Sequence, residues 1–290
     1  VVEVPPRLAI VGGGAMLLVQ SRLGWQAPFV IMGAALALGV LALLLVARRL
    51  PSVPTPAAMA PGLVADWAGF FGQPAARQWT WLLLSAFPFI GAAWLYLKPL
   101  LLDQGMALEQ VAWLVGIAGG TLGAFASLVG GRLIPLLGTA RAIVLYLLAA
   151  LLALGVLGLA VWLRLGQPWL IAGALLLALA MGAVSALMFG LTLFFSRQQR
   201  SASDYGLQSS LFVVTRLAAP VLAGLLLDRL GYGGLLASLG AGLALALVLA
   251  WRVRHSRALV TVGAVAWSMS ATHRGRAEAG RPRSAAKSHL

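Results

Sequence analysis

Apolar runs of about twenty residues, separated by short charged or turn-forming stretches, dominate this chain and decide what it can become. Eight can be drawn, at roughly 8–20, 28–47, 79–102, 110–130, 142–163, 168–195, 207–227 and 233–251. A helix of about 20 residues crosses the hydrocarbon layer of a bilayer, and these runs have that length. A soluble domain wets its surface with about 25% charged residues, whereas this chain has 10% charged and 61% apolar residues. It cannot coat itself in that way, so lipid must cover most of it. The fold class is therefore all-α, a polytopic transmembrane bundle, which excludes a water-soluble enzyme, a β-barrel and a disordered chain. The first run is short for a span, follows Pro5 and Pro6, and carries Gly12, Gly13 and Gly14.

The net charge of +14 is informative through its placement. Short cytoplasmic loops retain Lys and Arg. Of the 21 Lys and Arg, sixteen fall on one side if the C-terminal tail is cytoplasmic, and eight of these lie from Arg252 onward. The opposite side holds Arg22, Lys98, Arg164 and Arg229, and Arg216 lies inside a span. Cysteine is absent, which removes disulfides, thiolate metal sites and Cys nucleophiles.

The stretch 49–78, rich in Pro and Ala, reads as a cytoplasmic linker between two helices on its left and six on its right. Residues 1–48 then form the last two helices of one bundle, 79–253 a second bundle of six, and 254–290 a basic, disordered cytoplasmic tail. Ser21-Arg22-Leu23-Gly24-Trp25 ends the first helix, and Asp228-Arg229-Leu230-Gly231-Tyr232 ends the seventh, at equivalent junctions. A duplicated architecture follows, as in folds built from internal repeats. With four helices absent on the left, the chain reads as the fifth to twelfth helices of a twelve-helix parent. The opening Val-Val-Glu-Val, without Met or a charged leader region, fits that expectation of an N-terminal truncation.

The six-plus-six plan resembles the major facilitator superfamily of secondary transporters. The family's loop pattern is matched by Gly224-Leu225-Leu226-Leu227-Asp228-Arg229-Leu230-Gly231, between the seventh and eighth helices. At the usual place in the second half, Gly131, Leu133, Gly138 and Arg141 are kept, while Pro135 replaces the acid. A latch built on an Asp in that loop is thereby weakened. Two further stretches, residues 91–105 and 203–216, are similar to the branch that holds siderophore permeases and muropeptide permeases. The resemblance implies alternating access by a permease in a bacterial inner membrane. Its substrate would be a small solute such as a ferric siderophore, with a muropeptide or an exported drug or metabolite as alternatives, and a proton is the expected coupling ion. A non-transporting membrane sensor or scaffold is the rival class.

Arg216 is the one charge well inside a span, about ten residues from either helix end, where burial costs about 2.5–3.5 kcal/mol on insertion scales. Two roles are open to it: an anchor for an anionic group of a solute, or a structural Arg bonded to carbonyls or to an acid elsewhere. Gln208, Phe212 and Thr215 lie within three to four residues of one another and of Arg216, so all four can share a helical face lining a cavity, or a plain helix contact. Pro220 follows on that face. The third run carries Trp94, Tyr96 and Lys98 between Pro88 and Pro99, whose missing N–H groups mark places where a gate could bend. Trp94 and Lys98 form either an aromatic and cationic wall for a ligand or an interfacial belt with a snorkelling Lys. Ser185, Thr192 and Ser196 could line a pore, although such hydroxyls commonly bond their own backbone. His255, His273 and His289 all lie in the tail, and no phosphate loop or metal-binding motif occurs, so no enzyme, cofactor or metal is expected. Nucleic acid is not an expected partner; the lipid bilayer is.

Overall fold

A computed structural model describes residues 19, 23–47, 63–197 and 200–253. The expected first helix, the repeat element at Ser21-Arg22 and the basic tail lie outside these residues. Among the described residues all regular structure is helical: α1 (Gln26–Ala47), α2 (Leu63–Phe71), α3 (Pro74–Asp103), α4 (Leu108–Leu137), α5 (Thr139–Trp162), α6 (Gln167–Phe194), and a stretch Ser201–Val253. At 1.5 Å per residue that last stretch would be about 80 Å long, far beyond a bilayer. It is broken at Gly231, whose φ of 64° and ψ of −174° are open to glycine alone at low cost, into α7 (201–230) and α8 (232–253). Gly138, at φ 78°, makes the equally tight turn between α4 and α5.

The spans run beyond the expected limits by up to about seven residues, because the residues flanking the apolar runs, such as 74–78, 131–137 and 201–206, continue the helices. Within α4, residues Ala112–Ala118 form a π-helical segment. The Thr121 hydroxyl donates to the carbonyls of Ile117 and Ala118 at 2.8 and 3.0 Å, satisfying oxygens at the point where the ladder changes pitch. The sequence reading placed a linker over 49–78. Part of that stretch, Leu63–Phe71, is a helix, and α3 already begins at Pro74, with its proline in the first turn.

Large apolar side chains lie on both sides of the bundle. Leu83, Ile90, Leu97, Leu147, Leu157 and Leu187 are sealed inside, yet Leu36, Phe125, Leu152 and Leu217 are more than 60% exposed. α1 is exposed from Phe29 to Val46. Such a surface is a liability in water and the expected one in lipid.

Small residues set how closely the helices meet. On α6, a Cβ at Gly182 would collide with the Gly123 carbonyl oxygen on α4 and lie 2.9 Å from the Ala126 side chain. A Cβ at Gly173 would sit 3.1 Å from Leu157 of α5, and one at Gly242 of α8 would run into Phe89 of α3. Lipid tails are as apolar as leucine, so close backbone contact is what holds such helices together. Gly182→Leu should therefore destabilise the bundle by about 1–3 kcal/mol, read as a lowered thermal midpoint in detergent. Gly116→Ala, where a Cβ would meet nothing within 4 Å, should leave the midpoint unchanged apart from helix propensity.

Candidate functional site

α3 and α7 run parallel and are joined at three heights, and a fourth contact ties α3 to the start of α8. At one end the Trp79 indole N–H donates to Gln208 Oε1 at 2.7 Å. Next, the rings of Phe87 and Phe212 lie 4.7 Å apart. Above them the Tyr96 hydroxyl donates to the Pro220 carbonyl at 2.9 Å, and Gly224 leaves room for that hydroxyl, since a Cβ there would lie 2.7 Å from it. At the far end the Tyr232 hydroxyl, just past Gly231, donates to Asp103 Oδ2 at 2.7 Å.

Gln208 is fully buried and its amide is spent internally: Nε2 donates to the carbonyls of Thr192 and Asp204 and to Ser196 Oγ. Trp79 also stacks on Phe195, 5.6 Å between centroids. This knot joins α3, α6 and α7.

Beside it lies the main ionic feature of the described residues. Arg197, between α6 and α7, grips Asp204 with two parallel hydrogen bonds, Nη2 to Oδ1 at 2.6 Å and Nε to Oδ2 at 2.8 Å, and its backbone N–H also donates to Oδ2. Its Nη2 reaches across to Asp66 Oδ1 of α2 at 2.9 Å, and Arg200 Nη1 reaches the same oxygen at 2.8 Å. Asp204 is 1% exposed while the Arg197 side chain is 27% exposed, so a buried carboxylate is held by a partly exposed guanidinium in the fork-shaped, charge-assisted geometry. The Asp66 carboxyl is held below its ordinary value of 3.8, first by the hydrogen bond from Ser203 and then by Arg200 and Arg197. Phe70, fully buried with Ala76 and Leu207, seats α2 on the bundle.

The structure separates residues that the sequence reading had placed together. Gln208 and Phe212 face the interior and border a hollow of only about 10 Å³, too small for a solute. Thr215 donates to its own helix, at the carbonyls of Leu211 and Phe212. Arg216 is turned about 80° from Gln208 by the helical repeat and is exposed. The four therefore do not form one cavity face. Arg216 has no hydrogen-bonding or ionic partner among the described residues. On α3, Lys98 is exposed, Trp94 lies against Gly119 of α4, and Tyr96 points the other way, into α7. Pro88 and Pro99 do not break the helix, which runs through both. Of the loop pattern, Gly224 and Gly231 have the steric reasons given above, while Asp228 and Arg229 are exposed. In the other loop Gly138 makes the turn, and Gly131 and Arg141 are exposed. Ser185, Thr192 and Ser196 each donate to the carbonyl four residues earlier.

Sequence reasoning missed Trp79, Asp66, Arg197 and Asp204. The available signal was scarcity: only seven Asp and Glu occur in the chain, and Asp204 stands seven residues from Arg197.

Packed apolar helices joined by small-residue contacts and a few buried hydrogen bonds define a polytopic helical membrane protein. The Major Facilitator Superfamily model matches residues 8–203, more than half of the chain, and the chain belongs to that family. Over 144 residues it is 31% identical to proteins called anhydromuropeptide permease from Escherichia coli strain K12 and from Escherichia coli O157:H7. That match covers 48% of this chain and 28% of each relative, so the chain spans well under two thirds of their length.

Because the folded-state pKa of Asp66 is depressed, its contribution to stability is present above its ordinary value of 3.8 and lost as pH falls from there through the folded value. The thermal midpoint of the wild type should exceed that of Asp66→Asn at pH 6–7, and the two should converge at the acid end of a titration. A gap that persists unchanged below the ordinary carboxylate range would contradict the assignment.

Proposed function

We propose that this chain is part of a secondary transporter that moves a small anionic solute by alternating access. Residues 79–253 serve as its second six-helix bundle, 1–48 as the last helices of the first, 49–78 as the cytoplasmic linker and 254–290 as a cytoplasmic tail. The observation that carries the reading is Arg216: a guanidinium near the middle of a span, exposed and without a partner among the described residues. In lipid that placement is costly, and facing a polar cavity shared with another bundle relieves the cost. There a guanidinium holds a carboxylate by two parallel hydrogen bonds. Lys98, exposed on α3, adds a second cation nearer the helix end.

Family membership supports transport over catalysis or a scaffold role. The permeases that match over 144 residues favour a muropeptide-like solute, and uptake of a ferric siderophore is the second reading, from the likeness of residues 91–105 and 203–216 to that branch. We place the protein in a bacterial inner membrane, with the Asp66–Arg197 end in the cytoplasm, since Arg132, Arg141, Arg197 and Arg200 all fall at that end. The three joints between α3 and α7, and the fourth from α3 to the start of α8, make those helices move as one body as the bundles rock. A proton is the proposed coupling ion.

Cells expressing the complete gene product should accumulate labelled anhydromuropeptide. Arg216→Ala at unchanged membrane abundance should lower uptake at least tenfold, about the value of one charge-assisted hydrogen-bonded anchor, with partial recovery in Arg216→Lys. Wild-type uptake by the alanine variant would remove Arg216 from the site. Uptake of ferric siderophore in place of muropeptide would select the second reading.

A further inference from the structure

Two hollows meet at the end of the bundle opposite Asp66 and Arg197. One, of about 510 Å³, lies at the turn from α5 to α6 and is lined by Arg164, Gln104, Gln167 and Tyr232, with Gly233 at its edge. The other, of about 640 Å³, is a trough between the antiparallel helices α5 and α8. Gly155, Gly158, Gly234 and Gly240 line its walls, and Gly233 borders both hollows. Gly155 and Gly233 leave the trough open, since a Cβ at either would meet nothing within 4 Å, while Gly158 faces Leu236, Gly240 faces Leu151 and Gly234 is covered by Leu230. From Gly233 to Gly240 the trough runs about 10 Å along α8, most of the hydrocarbon depth of one leaflet, about 15 Å.

Arg164 sits where the polar hollow opens. It has φ 51°, the one positive value at a non-glycine position among the described residues, because it follows the last turn of α5, where the Leu165 N–H bonds back to the Ala160 carbonyl at 3.1 Å. Glycine is the usual occupant of such a helix-ending position, so a cation is held here against a steric cost. Its guanidinium is exposed and has no partner among the described residues, while Asp103 at the same end is engaged by the Tyr232 hydroxyl. Trp162 and Trp169, both exposed, flank the turn. Tryptophans so placed mark the headgroup level of a bilayer.

We propose that this is a binding site for one anionic phospholipid, with its phosphate on Arg164 and the amides of Gln104 and Gln167 and one acyl chain in the glycine trough. The charge complements the headgroup, and an apolar trough open to hydrocarbon gains dispersion contacts when a chain fills it. The site does not depend on the transported solute.

The test is native mass spectrometry of the purified protein after delipidation, titrated with phosphatidylglycerol and, separately, phosphatidylcholine. One phosphatidylglycerol should be retained preferentially. Arg164→Gln should weaken it about fivefold, the worth of one cation near the membrane surface, and Gly155→Leu, which fills the trough, should weaken both lipids alike. Chainless glycerol phosphate should not compete. Equal competition by glycerol phosphate would reduce the site to a free-anion pocket and overturn the proposal, as would wild-type retention of phosphatidylglycerol by Arg164→Gln. Wild-type retention by a Gly155→Leu protein with an unchanged thermal midpoint would do the same for the trough, and Arg164→Gln decides the matter should that variant fail to fold.

Discussion

Inside hydrocarbon, apolar side chains gain nothing by leaving one oily surrounding for another, so the arrangement of these helices depends on how closely their backbones can approach. Gly123 and Gly182 bring α4 onto α6, Gly173 brings α6 onto Leu157 of α5, and Gly242 receives Phe89 of α3. Tyr146 adds one polar stitch between α5 and α4, its hydroxyl donating to the Gly130 carbonyl at 2.7 Å. The abundance of glycine, 34 residues, is thus a packing requirement as much as a turn requirement.

Against this dry background the few polar side chains carry unusual weight. They concentrate along α3 and α7 and at one end of the bundle, where Asp66, Arg197, Arg200 and Asp204 fasten a short helix to the loop between α6 and α7. The short helix leads into α3 through the two-residue turn Gly72–Gln73, so the ionic cluster lies close to the start of α3. Arg216 is the exception: a polar group in the middle of a span left outside these networks, and the proposed site rests on it for that reason.

Most of the fold was legible because a span announces itself by length and composition, and the turn at Gly231 because the Asp228–Gly231 pattern coincides with the end of an apolar run. α2 was not. Nine residues with one buried Phe70 carry too little periodicity to stand out in a proline-rich stretch, and the helix is fixed by ionic partners 131 and 134 residues away. Gln208 misled for a related reason. A polar residue in an apolar helix reads as the wall of a cavity, and only the fold brings the Trp79 indole, 129 residues distant, onto its amide oxygen. Arg216 lay close enough to Gln208 in sequence to share a face on a coarse count, yet one further residue turns it outward.

The π-helical segment of α4 has a geometric consequence. A turn closed by an i→i+5 bond holds one residue more than an α turn, so the helix downstream is out of phase with the helix upstream by about 100°. The downstream half aims Gly119, Gly123, Ala126 and Gly130 inward, and a Cβ on Gly119 would lie 2.9 Å from the Trp94 ring. Residues 112–118 thus work like a dial set between two rods. Trimming a single residue there would leave the apolar content of α4 intact while swinging Glu109 and Trp113 onto a different bearing.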